Sequence, residues 1–229
     1  MRYTGMTRRE TARRPTPRLR WMSARTTLAP VATAVLLLVA LTGCSDDSEP
    51  DPKPAVHTAA NGDVYNDADA SFASDLVQHH ALSLTLVDLT RGRNVSPGLT
   101  AIADEILAAQ GPEIQSLTTW LTDWDQPAPE TIRDHANAHA DERGEVVEVP
   151  GDDLPGMPDH AELEALEELD GPEFEQRWLE LMVAHHEGAI EIAEEESDAG
   201  RFSPALDLAR AVVTTQQDQV EQMKSLLGD

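Results

Sequence analysis

Two stretches of this chain carry the same landmarks in the same order, and that repetition restricts its folds more than any other feature. The first reads His79-His80, Gly92, Ser96-Pro97, Gln110, Ile114 and Leu117; the second reads His185-His186, Gly200, Ser203-Pro204, Gln216, Val220 and Met223. The interval from the first histidine of each pair to the glutamine is 31 residues in both copies, and the slip in spacing falls near the Ser-Pro step. Self-similarity of this kind marks a duplicated supersecondary unit.

Each copy reads as two helices joined by a short turn. Ser96 and Ser203 are expected N-caps, each followed by a proline at the first helical position, where the missing N–H costs nothing. Gly92 and Gly200 are expected to stop the preceding helices by taking the left-handed conformation. Two such hairpins predict an all-α four-helix bundle, with repeat one at residues 67–122, a linker at 123–170 and repeat two at 171–229. Three Phe and two Tyr in the whole chain leave the core to Leu, Ile, Val, Ala and Met.

Helical periodicity places the paired histidines inside. Phe174, Trp178, Leu181, Met182, His185, Ala189 and Ala193 share one face at three-four spacing, with His186 on its shoulder. Leu206, Ala209, Val213, Gln216, Val220, Met223 and Leu227 form the partner seam, and the first copy repeats the scheme with Phe72, Leu76, His79 and His80 against Leu99, Ala103, Ile106, Gln110, Ile114 and Leu117. His79, His80, His185, His186, Gln110 and Gln216 are therefore expected to face the bundle interior. The linker holds an expected short helix at residues 130–143, with His135 and His139 four apart, then Leu154-Pro155-Gly156-Met157, then a second short helix at 159–169. The run Glu194-Glu195-Glu196 reads as a solvated helix end.

The N-terminus speaks to compartment. Residues 1–27 carry eight arginines against one acid, and residues 28–41 are almost entirely apolar. That is a charged segment followed by a hydrophobic one too short for a permanent span of roughly 20 residues. It ends in Leu41-Thr42-Gly43-Cys44, which resembles the bacterial lipobox. The expectation is a lipoprotein signal peptide at residues 1–43, a lipid on Cys44, and an exported protein anchored to the outer face of the cytoplasmic membrane. Residues 44–66, rich in Pro, Asp and small side chains, read as a flexible tether. Residues 1–43 hold eight of the 17 basic residues and one of the 42 acidic ones, so the remainder carries 9 basic against 41 acidic side chains. Such a surface argues against binding nucleic acid or an anionic lipid surface through charge and favours cations. Cys44 is the only cysteine, so acylation leaves no thiol for a disulfide, a thiolate metal site or nucleophilic catalysis.

Pro155-Gly156-Met157, Glu162-Leu163, Leu166, Gly171, Phe174, the run Leu181-Met182-Val183-Ala184-His185-His186-Glu187-Gly188-Ala189-Ile190, and the later Gln216-x-x-Gln-Val-x-x-Met223 together resemble the domain of unknown function 305 family. The resemblance implies a ferritin-like helical fold, export or lipid anchoring, and copper binding as described for some members. It marks Met182, His185, His186, Gln216 and Met223, and His79, His80 and Gln110 in the first copy. That copy departs from the pattern: Leu76 stands where Met182 does, Leu117 where Met223 does, and Leu82-Ser83-Leu84 replaces Gly188-Ala189-Ile190.

Imidazole suits Cu(II), Zn and Ni, and thioether prefers Cu(I), so a His/Met set without thiolate points to copper. Met182, His185 and His186 lie on neighbouring positions of one helix, and Met223 could approach across the seam. His79 and His80 are secondary candidates, and His135, His139 and Met157 form a weaker set in the linker. The alternative is architectural: the His and Gln side chains form a buried network that ties the helices together, and the chain serves as a structural or interaction module. Catalysis is not expected. A di-iron oxidase needs Glu-x-x-His motifs, whereas Leu76 and Met182 stand three residues before the two pairs, and no Ser-His-Asp set, His-Glu-x-x-His or phosphate loop is present.

Overall fold

The computed structural model describes residues 55–137, 151 and 153–228. The expected signal peptide, Cys44, the start of the expected tether and His139 lie outside the described residues. Four long helices dominate: α1 (Asp67–Thr90), α2 (Pro97–Asp123), α5 (Gly171–Ala199) and α6 (Ser203–Leu227), with the short α3 (Ile132–Asn137) and α4 (His160–Glu168) between the repeats. α1 with α2 and α5 with α6 form the two hairpins, and contacts of α1 with α5 and of α2 with α6 close a four-helix bundle. α3 packs on α1 and α4 on α5.

The helix ends follow the local chemistry in part. Ser96 caps α2 by accepting from Leu99 N at 3.1 Å, and Gly92 at φ 78° turns the chain after α1. Asp159 caps α4 in a reciprocal box with Glu162. Two expectations fail at the second hairpin. Ser203 is the first residue of α6 rather than its cap; Phe202 holds the cap position without a side-chain bond. Gly200 has φ −68°, an ordinary value, so it does not end α5 by a left-handed turn. Both differences trace to Asp69 on α1, whose Oδ1 accepts from Arg201 N at 2.9 Å and Phe202 N at 2.8 Å. A carboxylate from the other hairpin thus satisfies the amides ahead of α6.

Part of the expected tether is ordered. Residues 56–66 form an antiparallel hairpin of β1 (Val56–Thr58) and β2 (Val64–Asn66), with Val56 opposite Asn66. Gly62 at φ 97° makes the turn. Polar composition concealed this because the hairpin is held by the domain: Tyr65 stacks on Trp124 at 4.4 Å, and Asn66 caps α1 in a reciprocal box with Asp69.

The core falls into two apolar clusters. One gathers Leu82, Leu86, Leu99, Ile102, Ile106, Phe174, Trp178, Met182 and Met223; the other gathers Phe72, Leu76, Leu117, Leu121, Ala189, Ile192, Ala205 and Ala209. On every long helix buried polar residues stand between the clusters: His79 and His80 on α1, Gln110 on α2, His185 and His186 on α5, Gln216 and Gln219 on α6. The bundle is therefore two apolar halves separated by a polar layer at its waist.

Candidate functional site

The four histidines of the waist are at most 1 % exposed. The rings of His79 and His185 stack, with centroids 3.8 Å apart and planes 15° from parallel. Each Nε2 meets an acceptor: His79 the Pro155 carbonyl at 2.9 Å, His185 the carbonyl of His79 itself at 3.0 Å, His80 Glu113 Oε2 at 2.7 Å, and His186 Gln219 Oε1 at 3.0 Å. A carbonyl, carboxylate or amide oxygen can only accept, so these contacts put the imidazole proton on Nε2 in all four rings. The Nδ1 atoms of the neutral rings then carry the lone pairs; by hydrogen-bond geometry none of the four Nδ1 has a partner among the described residues, although the Met182 carbonyl lies close enough to His186 to act on its ring.

Burial also holds His79, His185 and His186 neutral. His79 is pushed down to about 3 chiefly by desolvation, with His80 and His186 opposing a further charge. Desolvation likewise takes His186 down to about 4 and His185 well below the usual value, the latter reinforced by His79 and His186. Neutral imidazole is the metal-binding form.

The two copies are nearly equivalent here, with two differences. Glu113 and Gln219 hold the same position in the repeats, so the second histidine of each pair bonds to a carboxylate in one copy and an amide in the other. The first histidines differ because a strap, residues 153–157, lies over α5. A Cβ on Gly188 would sit 2.0 Å from the Pro155 oxygen, and a Cβ on Gly156 would sit 2.3 Å from the Ala184 oxygen, where φ is also 71°. Glycine at both positions lets strap and helix backbones touch, which delivers the Pro155 carbonyl to His79. Leu82 occupies the Gly188 position in the first copy and is wholly buried, leaving no such seat.

The structure brings His79, His80, His185, His186, Gln110 and Gln216 into one layer as the periodicity predicts. Met182 lies beside it, its sulfur accepting from Ser83 Oγ at 3.5 Å. Met223 is buried in the apolar cluster rather than in the layer, and Met157 packs against the edge of that same cluster. His135 falls in α3, away from the paired histidines in sequence. Sequence reasoning missed Glu113 and Gln219 as site residues, although each follows its layer glutamine by three positions, as a helical neighbour should. It also misjudged Glu196, which is 2 % exposed rather than solvated. Glu194 and Glu195 are exposed as expected.

Among the described residues, no three His, Cys, Asp or Glu side chains are gathered where they could hold one metal ion. The layer supplies neutral donors, but closing on an ion requires the rings to reorient. Seven of its buried polar atoms, the four Nδ1, Gln110 Oε1 and both amide atoms of Gln216, have no partner among the described residues. An unmatched buried polar atom costs about 1–3 kcal/mol.

Residues 69–227 match the family described as Domain of unknown function (DUF305). Solved structures share the fold. A DUF305 protein of Streptomyces coelicolor, described as secreted, superposes with a TM-score of 0.59 at 27% identity, over 70% of this chain and 92% of that one. A DUF305 fragment from Deinococcus radiodurans gives 0.58 at 26% identity, over 77% of this chain and 99% of that one. CopM in its Cu(II)-bound form gives 0.54 at 20% identity, over 70% and 95%, and CopM is also known in Cu(I)-bound and Ag-bound forms. No curated protein sequence matches this chain.

Proposed function

The chain belongs to the DUF305 family, and from that premise we propose that it is a non-catalytic, envelope-anchored copper-handling protein that takes the ion on histidine Nδ1 atoms of the bundle waist. The observation that supports the reading is the set of four buried histidines, each with Nε2 committed to an oxygen and Nδ1 without a hydrogen-bond partner by geometry among the described residues. Metal-bound histidines characteristically donate their other ring N–H to a carbonyl or carboxylate, which fixes tautomer and orientation. Here that outer set of acceptors is in place for His79, His80, His185 and His186.

His185 and His186 are the principal ligands, with Met182, one turn earlier on α5, offering a soft sulfur to Cu(I). His79 joins through its stack on His185. The copper- and silver-bound states of CopM support this choice of cargo. Anchoring rests on residues 28–44, with lipid on Cys44; no described helix is long and apolar enough to cross a membrane.

A second reading is favoured by a specific observation: every Nε2 of the layer already has a protein partner, and among the described residues no three-ligand cage is assembled. In that reading the layer only ties the helices together, and an exposed surface meets a protein partner.

Metal content and affinity separate the two. Residues 45–229 without a histidine tag should bind Cu(I) or Cu(II) stoichiometrically and more tightly than Zn, and His185→Ala/His186→Ala should abolish binding while circular dichroism stays helical. Wild-type protein that binds copper no better than an acidic surface does would leave the layer architectural. Cys44→Ala should release the protein from membranes; continued fractionation with lipid would remove the anchor.

A further inference from the structure

Ser83 of α1 and Met182 of α5 meet across the bundle beside the histidine layer, Ser83 Oγ donating to Met182 Sδ at 3.5 Å, and both side chains are wholly buried. A serine or threonine inside a helix commonly donates to the carbonyl four residues back, as Thr85, Ser116, Thr118 and Ser197 do here. For Ser83 that carbonyl belongs to His79, and it accepts from His185 Nε2 at 3.0 Å. The layer uses the local acceptor, and the serine hydroxyl is bonded to the sulfur instead.

The other half of the bundle shows what packing alone requires at this place. The repeat spacing that pairs His79 with His185 also pairs Leu76 with Met182 and Ala189 with Ser83. Leu76 and Ala189 are wholly buried in one apolar cluster. Leucine and methionine exchange with little change of volume, so the core is filled in that half without a thioether and without a hydroxyl. In the half that holds Met182 both polar replacements occur together, one on each side of a single contact.

A thioether is a soft donor that prefers Cu(I). It also ends a side chain with three rotatable bonds, and a bond from a buried hydroxyl restricts where the sulfur lies. We propose that Ser83 is a positioning residue for Cu(I), its hydroxyl holding the Met182 thioether beside the histidine layer with one sulfur lone pair left for the soft ion. The proposal rests on the copper reading above and adds the residue that sets its preference for the reduced ion. Cu(II), which imidazole suits, draws less on the sulfur.

The test uses the full-length chain in detergent, with Cu(I) under anaerobic conditions and Cu(II) in air as probes, each titrated against a competing chelator. Ser83→Ala, which installs the residue of the other repeat, should weaken Cu(I) by about ten-fold, as loss of an outer partner of a metal ligand does, and leave Cu(II) within about two-fold. Met182→Leu should weaken Cu(I) at least as much, and Ser83→Ala should add nothing in that background. Equal weakening of both ions, or an effect of Ser83→Ala that persists without Met182, overturns the proposal. A second readout needs no metal: in protein labelled with 13C at the methionine methyls, Ser83→Ala should shift the Met182 signal, assigned by its loss in Met182→Leu, and leave that of Met223 in place. An unmoved Met182 signal overturns the positioning role even where copper binds. Absence of Cu(I) binding by the wild type, with the Met182 signal shifting as expected, overturns the copper reading and leaves the Ser83–Met182 bond a packing feature.

Discussion

Glu113 and Gln219 hold equivalent places in the two repeats, and each accepts the Nε2 proton of the second histidine of its pair, His80 at 2.7 Å and His186 at 3.0 Å. One position therefore carries a charge-assisted bond in the first hairpin and a neutral one in the second. Glu113→Ala leaves a wholly buried imidazole N–H without its partner and is expected to cost about 1–3 kcal/mol, whereas Glu113→Gln copies the second hairpin and should cost less than about 1.5 kcal/mol. Urea unfolding of the two variants checks the order; equal losses would show that the charge contributes nothing at His80.

Gly188→Ala sets two effects against each other. Alanine favours a helix interior by up to about 1 kcal/mol. The added Cβ would lie 2.0 Å from the Pro155 oxygen, a backbone atom with no side-chain freedom to retreat. The clash should win, giving a net destabilisation of about 1–3 kcal/mol, because the strap must move and His79 loses its acceptor. Thermal unfolding measures the net sign, and a stabilised variant would mean that the strap is not seated as described.

Glu196 gives the fold a pH dependence on the alkaline side. Burial, reinforced by the neighbouring Asp69 carboxylate, raises it to about 9 from an ordinary 4.5. The folded state thus holds this proton where the unfolded chain has released it, so the contribution is fully present below about pH 4.5 and declines as pH rises towards 9. Glu196→Gln removes that decline. The variant should gain on the wild type steadily between pH 5 and 9 in parallel unfolding series, and a constant difference across that range would refute the raised carboxyl.

Asp69 joins three backbone amides from two hairpins: Asn66 N at 2.6 Å, Arg201 N at 2.9 Å and Phe202 N at 2.8 Å. Asp69→Ala removes the capping box of α1 and strands the amides ahead of α6, with an expected loss of about 2–4 kcal/mol. The loss should appear as early hydrogen exchange at residues 201 and 202 as well as at the start of α1. Exchange confined to α1 would limit Asp69 to a local cap.

The repeat, the four long helices and the inward face of His79, His80, His185 and His186 are legible in the chain because each follows from spacing along one helix. The cap at Ser96 is legible for the same reason: donor and acceptor lie within three residues. What only the tertiary structure decides is which groups meet across helices. The acceptors of His79 and His185 are backbone carbonyls of Pro155 and His79, and a carbonyl leaves no trace in residue type. Gly188 signals a close approach, but the approaching segment is identified only once α5 is folded beneath the strap. Glu196 sits beside two exposed acids, and its burial depends on Asp69 arriving from another hairpin, as does the failure of Ser203 to cap α6. Local periodicity determined the helices and what they bury; long-range packing determined which nitrogen of each histidine is committed and which is free.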